Sequence, residues 1–367
     1  MLIIIRANDI ITDTRVSKYT NALSSQGYPF QILGWDRDGS CRSVEMGMKL
    51  LRRKQPYNQG DKALWGRIVW FTFVVKYLIV HRHDYRFIHA CDLDAVVPAL
   101  FAKIFFGKYL IFDVFDWFSD TLSLRNRAIR WAISLLEYIS VKLSDTLILC
   151  ETERRDQIPF KINNVLILPN IPMVDSLEMK HPSPRRNEPL RICYVGALYH
   201  DRNILELLEA CSQNHDVHLV IAGFGSEDIV SACQKYDKSA RNIEYLGRVD
   251  YHRALIEMGS SNAIYAMYCR SNKNHVWAAP NKYYESLMLG VPLITTEGTL
   301  VGNRVKTYGT GFAIREGLEP TNRLLSYLAE HNLDNERQRC HRLWDDLYRD
   351  YTEKFFREQY FPLLGAK

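Results

Sequence analysis

The chain lacks most of what would mark a secreted, metal-stapled or DNA-binding protein. Its eight cysteines (Cys41, Cys91, Cys150, Cys193, Cys211, Cys233, Cys269 and Cys340) are scattered, and no two form a Cys-x-x-Cys pair. That excludes the usual spacing of a zinc or dithiol centre. Cysteines set in apolar runs, such as Cys150 after Thr-Leu-Ile-Leu, are expected as free, buried thiols of a reducing compartment. No long uncharged apolar run occurs. The nearest, residues 63–80, is interrupted by Arg67 and Lys76, which predicts a largely buried helix; a helix touching a bilayer surface is the competing reading. The opening Met-Leu-Ile-Ile-Ile-Arg has no basic region ahead of its apolar run and reads as a first strand, not a signal peptide. Arg6-Ala7-Asn8-Asp9 after it holds no glycine, so the Gly-x-Gly-x-x-Gly fingerprint of a dinucleotide-dependent dehydrogenase is missing. A net charge of +5 is too weak to argue for nucleic acid, although it suits a polyanionic ligand or an anionic membrane surface.

What is present is a globular composition, 47% hydrophobic and 24% charged over 367 residues, a length that favours two domains. Short β-branched runs at 2–5, 30–34, 87–90, 109–113 and 146–150 read as strands. Helical patterns fall between them at 15–26, 95–106 and 126–142. Residues 169–189 then carry Pro169, Pro172, Pro182, Pro184 and Pro189, the composition of a linker. A second series follows, with strands at 191–195, 218–222, 243–246, 263–267 and 292–295 around helices at 204–213, 227–236 and 282–289. Residues 343–360 read as one long aromatic-rich helix. Strand–helix alternation predicts parallel sheets wrapped by helices, hence an α/β fold of two doubly wound domains facing a cleft. The expected division is 1–168, linker 169–189, 190–342, and a helix at 343–367 that returns to the first domain. In such sheets ligands meet the residues just beyond the strands.

Beyond the first strand of the second series comes Gly196-Ala197-Leu198-Tyr199-His200-Asp201-Arg202-Asn203. A glycine at a strand exit admits a ligand to the backbone, and an arginine ahead of a helix favours phosphate; a plain turn with a solvated Arg202 fits equally well. Ala222-Gly223-Phe224-Gly225-Ser226 repeats the arrangement, in a form that many strand–helix turns share. Pro280-Asn281-Lys282-Tyr283-Tyr284-Glu285 is sharper. Pro280 starts a helix, Lys282 lies in its first turn where a pyrophosphate would sit, and Glu285 follows on nearly the same face, placed for a pair of hydroxyls. The bland alternative is an exposed Lys282–Glu285 ion pair worth at most about 1 kcal/mol.

These segments resemble glycosyltransferase family 4 and its GT-B relatives. Pro280-x-Lys282-x-x-Glu285 followed by Gly290-Val291-Pro292-Leu293-Ile294 is similar to the family's donor-site helix and strand. Tyr194-Val195-Gly196, Ile221-Ala222-Gly223-Phe224-Gly225 and Tyr245-Leu246-Gly247-Arg248-Val249 stand in the family's order, as do Asp13-Thr14-Arg15-Val16-x-Lys18 and Pro169-Asn170. The resemblance implies a retaining enzyme moving a hexose-type sugar from a UDP- or GDP-type donor to a hydroxyl acceptor. The acceptor implied is a glycan or glycolipid, such as a lipid-linked polysaccharide intermediate. Arg202 and Lys282 would neutralise the diphosphate and Glu285 would hold the ribose. Gly196, Gly223 and Gly225 would admit the nucleotide, with Phe224, Arg248, Val249, Asn281 and Trp277 around the donor. The departing phosphate itself helps take the acceptor's proton, so no separate base, metal or cofactor is expected.

Three positions depart from the family pattern. Ala197 stands where an arginine is common, Trp277 where an acidic residue is expected eight before Glu285, and Phe115 where a histidine is expected after Asp113. On the acceptor side the strand-end residues are Asn8, Asp9, Asp13, Arg15, His89, Asp92, Asp113 and Asp116, for each of which a cap or loop role competes. Asp92-Leu93-Asp94 looks like the metal-binding Asp-x-Asp of a different glycosyltransferase fold, and His81-Arg82-His83 has no partner at ligand spacing, so neither is expected to bind a metal. The basic segment at 50–54 suggests a peripheral contact with the inner face of a membrane. The rival readings are an epimerase of the same architecture and a scaffold whose donor site has lapsed.

Overall fold

Both halves of the chain are built on parallel sheets whose strands are almost wholly apolar, the pattern expected where helices cover both faces. The computed structural model describes all residues except 9, 11–12, 38, 40–46, 56–59, 122–126, 174–188 and 366–367. Asp9, Cys41 and most of the proline-rich linker therefore lie outside the described residues. Two compact units emerge, Met1–Pro169 with Glu353–Lys367, and Asn170–Thr352.

The N-terminal unit carries seven strands: β1 (Leu2–Arg6), β2 (Phe30–Asp36), β3 (Met48–Arg52), β4 (Phe87–Cys91), β5 (Tyr109–Val114), β6 (Thr146–Leu149) and β7 (Val165–Ile167). They stand in the order β3-β2-β1-β4-β5-β6-β7, every pairing parallel. The chain winds outward from β1, returns to the centre at β4 and winds out the other way. That reversal opens a crevice at the carboxyl ends of β1 and β4. The C-terminal unit repeats the plan with β8 (Leu190–Leu198), β9 (Val217–Gly225), β10 (Ile243–Tyr245), β11 (Ala263–Tyr265), β12 (Leu293–Thr296) and β13 (Gly311–Ile314). Their order is β10-β9-β8-β11-β12-β13, so its reversal lies between β8 and β11.

Two expectations need correction. The helix Gly60–Val80 is not largely buried: Trp70, Val74 and Leu78 are, but Trp65, Ile68, Phe71 and Val80 face solvent. It packs one stripe against the helix Leu93–Phe106 and leaves the opposite side open. Residues 343–360 are not one helix. The helix Asp334–Leu343 runs into wide turns, with Arg349 N–H reaching the Trp344 carbonyl at 2.9 Å, then a turn at 349–350 and the short helix Tyr351–Phe355. The cause is divided packing. Trp344 and Tyr348 join the C-terminal core, where Tyr348 meets Tyr284 edge-on at 5.1 Å. Phe356 and Tyr360 pack on Tyr19 in the N-terminal unit. Among the described residues, no helix is long and apolar enough to cross a membrane.

Candidate functional site

In the C-terminal unit the residues around the β8/β11 reversal gather charge. Beyond β8, Arg202 ends a single tight turn, His200–Arg202, and its guanidinium lies 4.5 Å over the ring of Tyr268, which follows β11. One of its terminal nitrogens, Nη1, is buried without a hydrogen-bond partner, and its nearest carboxylate, Asp201, stands at 3.7 Å. A buried donor left open is costly unless something else fills it. Burial pushes the Tyr268 phenol up to about 12, with Arg202 pulling it down and Glu285 adding to the rise.

The helix Asn281–Leu289 begins after Pro280, whose extended conformation suits the position before a first turn, and ends at Gly290. From Tyr283 to Leu289 every residue is buried, on all sides of the helix. Glu285 is fully buried, so the Lys282–Glu285 pair is no solvated surface bridge: Lys282 Nζ donates to Oε2 at 2.7 Å. Oε1 accepts from the Tyr251 hydroxyl at 3.0 Å. Burial and the adjacent carboxylate hold that phenol in its protonated, donating form well above its ordinary range. Tyr251 opens the helix Tyr251–Gly259, whose N-cap Asp250 accepts from Arg253 N–H. The arrangement is a carboxylate fixed by one cation and one hydroxyl, one turn into a helix.

The other donor-side residues fall on the same sheet edge. Gly223 and Gly225 have a structural reason of their own, because a Cβ on either would sit about 2 Å from the Gly196 or Leu198 carbonyl of the neighbouring strand. Phe224 between them is exposed, and the Arg248 guanidinium lies 4.6 Å above its ring. Val249 is half-buried beside Arg248, Asn281 is half-buried in the helix's first turn, and Trp277 ends the short helix Lys273–Val276.

The acceptor-side candidates are drawn together differently. Asp113, at the end of β5, is fully buried; Arg15 meets its Oδ1 at 2.8 Å through Nη2 and its Oδ2 at 3.1 Å through Nε, and the Tyr19 hydroxyl donates to Oδ2 at 2.8 Å. Burial alone would raise this carboxyl; Arg15 and His89 outweigh it and hold it well below the usual range. His89 Nδ1 lies 2.8 Å from the Tyr360 hydroxyl. Asp13 caps the helix Thr14–Ser25 and pairs with Arg6 at 2.7 Å. Asp92 also pairs with Arg6 and accepts N–H bonds from Phe115 at 2.9 Å and Asp116 at 3.4 Å. Burial pushes its carboxyl up to about 6, against the pull of Arg6. Asp116 pairs with the buried Arg154 at 3.0 Å. Phe115, in the histidine's expected place, is flanked by Arg6 at 4.2 Å and Arg15 at 5.1 Å from its centroid.

Among the described residues, His89, Cys91 and Asp113 could offer three ligand atoms within 4.8 Å of one another. They do not suit a divalent ion. Asp113's oxygens already serve Arg15 and Tyr19, and burial pushes the Cys91 thiol far up, away from the thiolate a metal needs. Asp94 lies 3.1 Å from Arg67, so Asp92 and Asp94 answer two different arginines.

Sequence reasoning missed Tyr251 and Tyr268. Tyr251 reaches Glu285 across 34 residues, a contact that no local pattern announces.

The family described as glycosyl transferases group 1 matches residues 175–342. Among solved structures, Anabaena HepE in complex with UDP is similar at a TM-score of 0.71 and 11% identity, covering 100% of both chains. Sucrose-phosphate synthase from Thermosynechococcus elongatus gives 0.69 and 14%, covering 100% of this chain and 99% of that one. WaaG, a glycosyltransferase involved in lipopolysaccharide biosynthesis, gives 0.68 and 11%, covering 96% and 98%. No curated protein matches the sequence. At such identities the solved structures speak for the fold, and the family match speaks for the C-terminal half. Residues 175–342 match the glycosyl transferases group 1 family, and the chain as a whole has the GT-B fold of these solved structures.

Proposed function

We propose that the protein transfers a hexose-type sugar, with retention, from a nucleotide diphosphate-sugar of the UDP type to a hydroxyl of a lipid-linked polysaccharide intermediate. The N-terminal unit, residues 1–168 with the returning tail, is read as the acceptor side, and residues 190–342 as the donor side. The observation that carries the donor reading is Arg202, whose buried Nη1 lacks a partner and whose guanidinium lies over the ring of Tyr268. When the bond from C1 of the sugar to the diphosphate oxygen breaks, that oxygen gains charge. Arg202 and Lys282 neutralise it in a partly desolvated setting, where such charge pairing is strong. Glu285, held by Lys282 and Tyr251, keeps its carboxylate in one orientation for the ribose hydroxyls. The acceptor oxygen bonds to C1 and its proton passes to the departing phosphate oxygen. Support for UDP over GDP comes from HepE, whose crystals contain UDP, or UDP and glucose. Trp277 offers an apolar face in place of a hydroxyl-binding acid, which favours a deoxy or N-acetylated donor sugar. Membrane-peripheral placement on the cytoplasmic side follows from the acceptor's lipid anchor and the basic segment at 50–54.

The test is thermal shift with UDP, GDP and a panel of their sugars, followed by turnover. UDP at about 100 times its Kd should stabilise the protein by about 2.7 kcal/mol. Glu285→Ala and Lys282→Ala should lose both the shift and the turnover. No shift with any nucleotide would end the donor reading. Conversion of the donor sugar to its epimer without an acceptor would replace transfer with epimerisation.

A further inference from the structure

The helix Arg127–Leu143 buries Glu137, Ser140 and Val141, with Ile133 packed against the core, yet it also turns Trp131, Leu135, Leu136, Ile139 and Leu143 outward, Trp131 at 68% exposure. Glu137 is consumed internally, its oxygens accepting N–H bonds from Phe118 at 2.6 Å and Ser119 at 3.3 Å. Positions 131, 135 and 139 recur every fourth residue, with 136 and 143 beside them, so the outward residues form one stripe. A helix of a protein surrounded by water normally turns such a stripe to the core, and a contiguous apolar patch on the outside marks a contact.

The stripe continues onto the neighbouring helix. Lys103 Nζ lies 2.5 Å from Asp145 Oδ1, which ties the end of Leu93–Phe106 to the end of Arg127–Leu143. Helices that cross between parallel strands on one side of a sheet all run the same way, so their last turns share one edge. Ile104 and Phe105, 62% and 66% exposed, extend the apolar surface at that edge.

Charge selects the occupant. The helix bears Arg127 and Lys142, both exposed, and its single carboxylate is the buried Glu137. A second copy docked by the same face would set these cations against their own symmetry mates, which opposes a dimer. An anionic bilayer satisfies both features, taking the apolar side chains below its headgroups and pairing the cations with lipid phosphates. We propose that this outward face of Arg127–Leu143, continued by Ile104 and Phe105, docks the protein on an anionic lipid bilayer with the helix lying in the headgroup plane. This rests on the membrane-peripheral part of the reading above, to which it gives a surface, and is independent of the donor chemistry.

The experiment is flotation of the full chain with vesicles of phosphatidylcholine alone or with about 30% phosphatidylglycerol. The wild type should float with the anionic vesicles, and less so in high salt. The double variant Leu135→Ser, Ile139→Ser should bind at least about tenfold more weakly, with a melting temperature lowered only modestly because both positions are 42% exposed. Undiminished flotation of the variant, or no flotation of the wild type with either vesicle, overturns the proposal. So does a dimer in sedimentation velocity that the variant dissolves. A protein that floats yet shows no shift with UDP keeps this face and loses the donor reading; the opposite pair of results does the reverse.

Discussion

The two units solve the same topological problem and use its crevice in opposite ways. At the β1/β4 reversal the arginines are answered from within: Arg15 by Asp113, Arg6 by Asp13 and Asp92, Arg154 by Asp116. At the β8/β11 reversal Arg202 keeps an unanswered buried donor over Tyr268. A charge balanced internally holds a fold, whereas one with spare hydrogen-bonding capacity waits for a ligand.

The largest effect should come from breaking the balanced side. Asp113→Asn leaves Arg15 buried without its counter-charge and should cost about 3–5 kcal/mol in denaturant unfolding. A variant as stable as wild type but inactive would turn Asp113 from a folding residue into a ligand residue and dissolve the contrast. The unbalanced side should behave conversely. Arg202→Ala should change stability by less than about 0.5 kcal/mol, yet lower kcat/KM by about a hundredfold. Tyr251→Phe sharpens this further. It removes one hydrogen bond from Glu285, worth about 1 kcal/mol, so a fall of about fivefold in kcat/KM is expected. Loss of stability without loss of turnover would make Tyr251 a packing residue only.

Much of this was legible in the sequence and some of it was not, for reasons that lie in particular residues. The apolar runs of β1, β8, β9 and β12 announce buried parallel strands, and Lys282 and Glu285 stand out because helix geometry fixes their relation locally. β3 escaped because Met48–Arg52 mixes leucines with basic residues and reads as a charged patch. β7 has only three residues. The break near 349 is invisible because either half alone is a sound helical pattern; only the two cores they serve separate them. Phe115 looked like a missing histidine, and only the fold sets it between two arginines.

A pH-dependent effect concerns the buried acid beneath the outward stripe. Burial raises Glu137 from 4.5 to about 7. Between those values the folded chain holds a proton that the unfolded chain releases, so this group makes stability fall as pH rises through the window. Glu137→Gln, which resembles the protonated form, should flatten that part of the curve of melting temperature against pH. An unchanged slope would mean that Glu137 stays ionised throughout.

The tail has a consequence for biosynthesis. Residues 353–367 belong to the unit that begins the chain, and the Tyr360 hydroxyl meets His89 across 271 residues. During translation the ribosome therefore delivers the C-terminal unit whole before the N-terminal unit can close. Until then His89 and the apolar ring of Tyr19 have no cover, and a nascent chain stalled in that interval is the form a chaperone would need to shield.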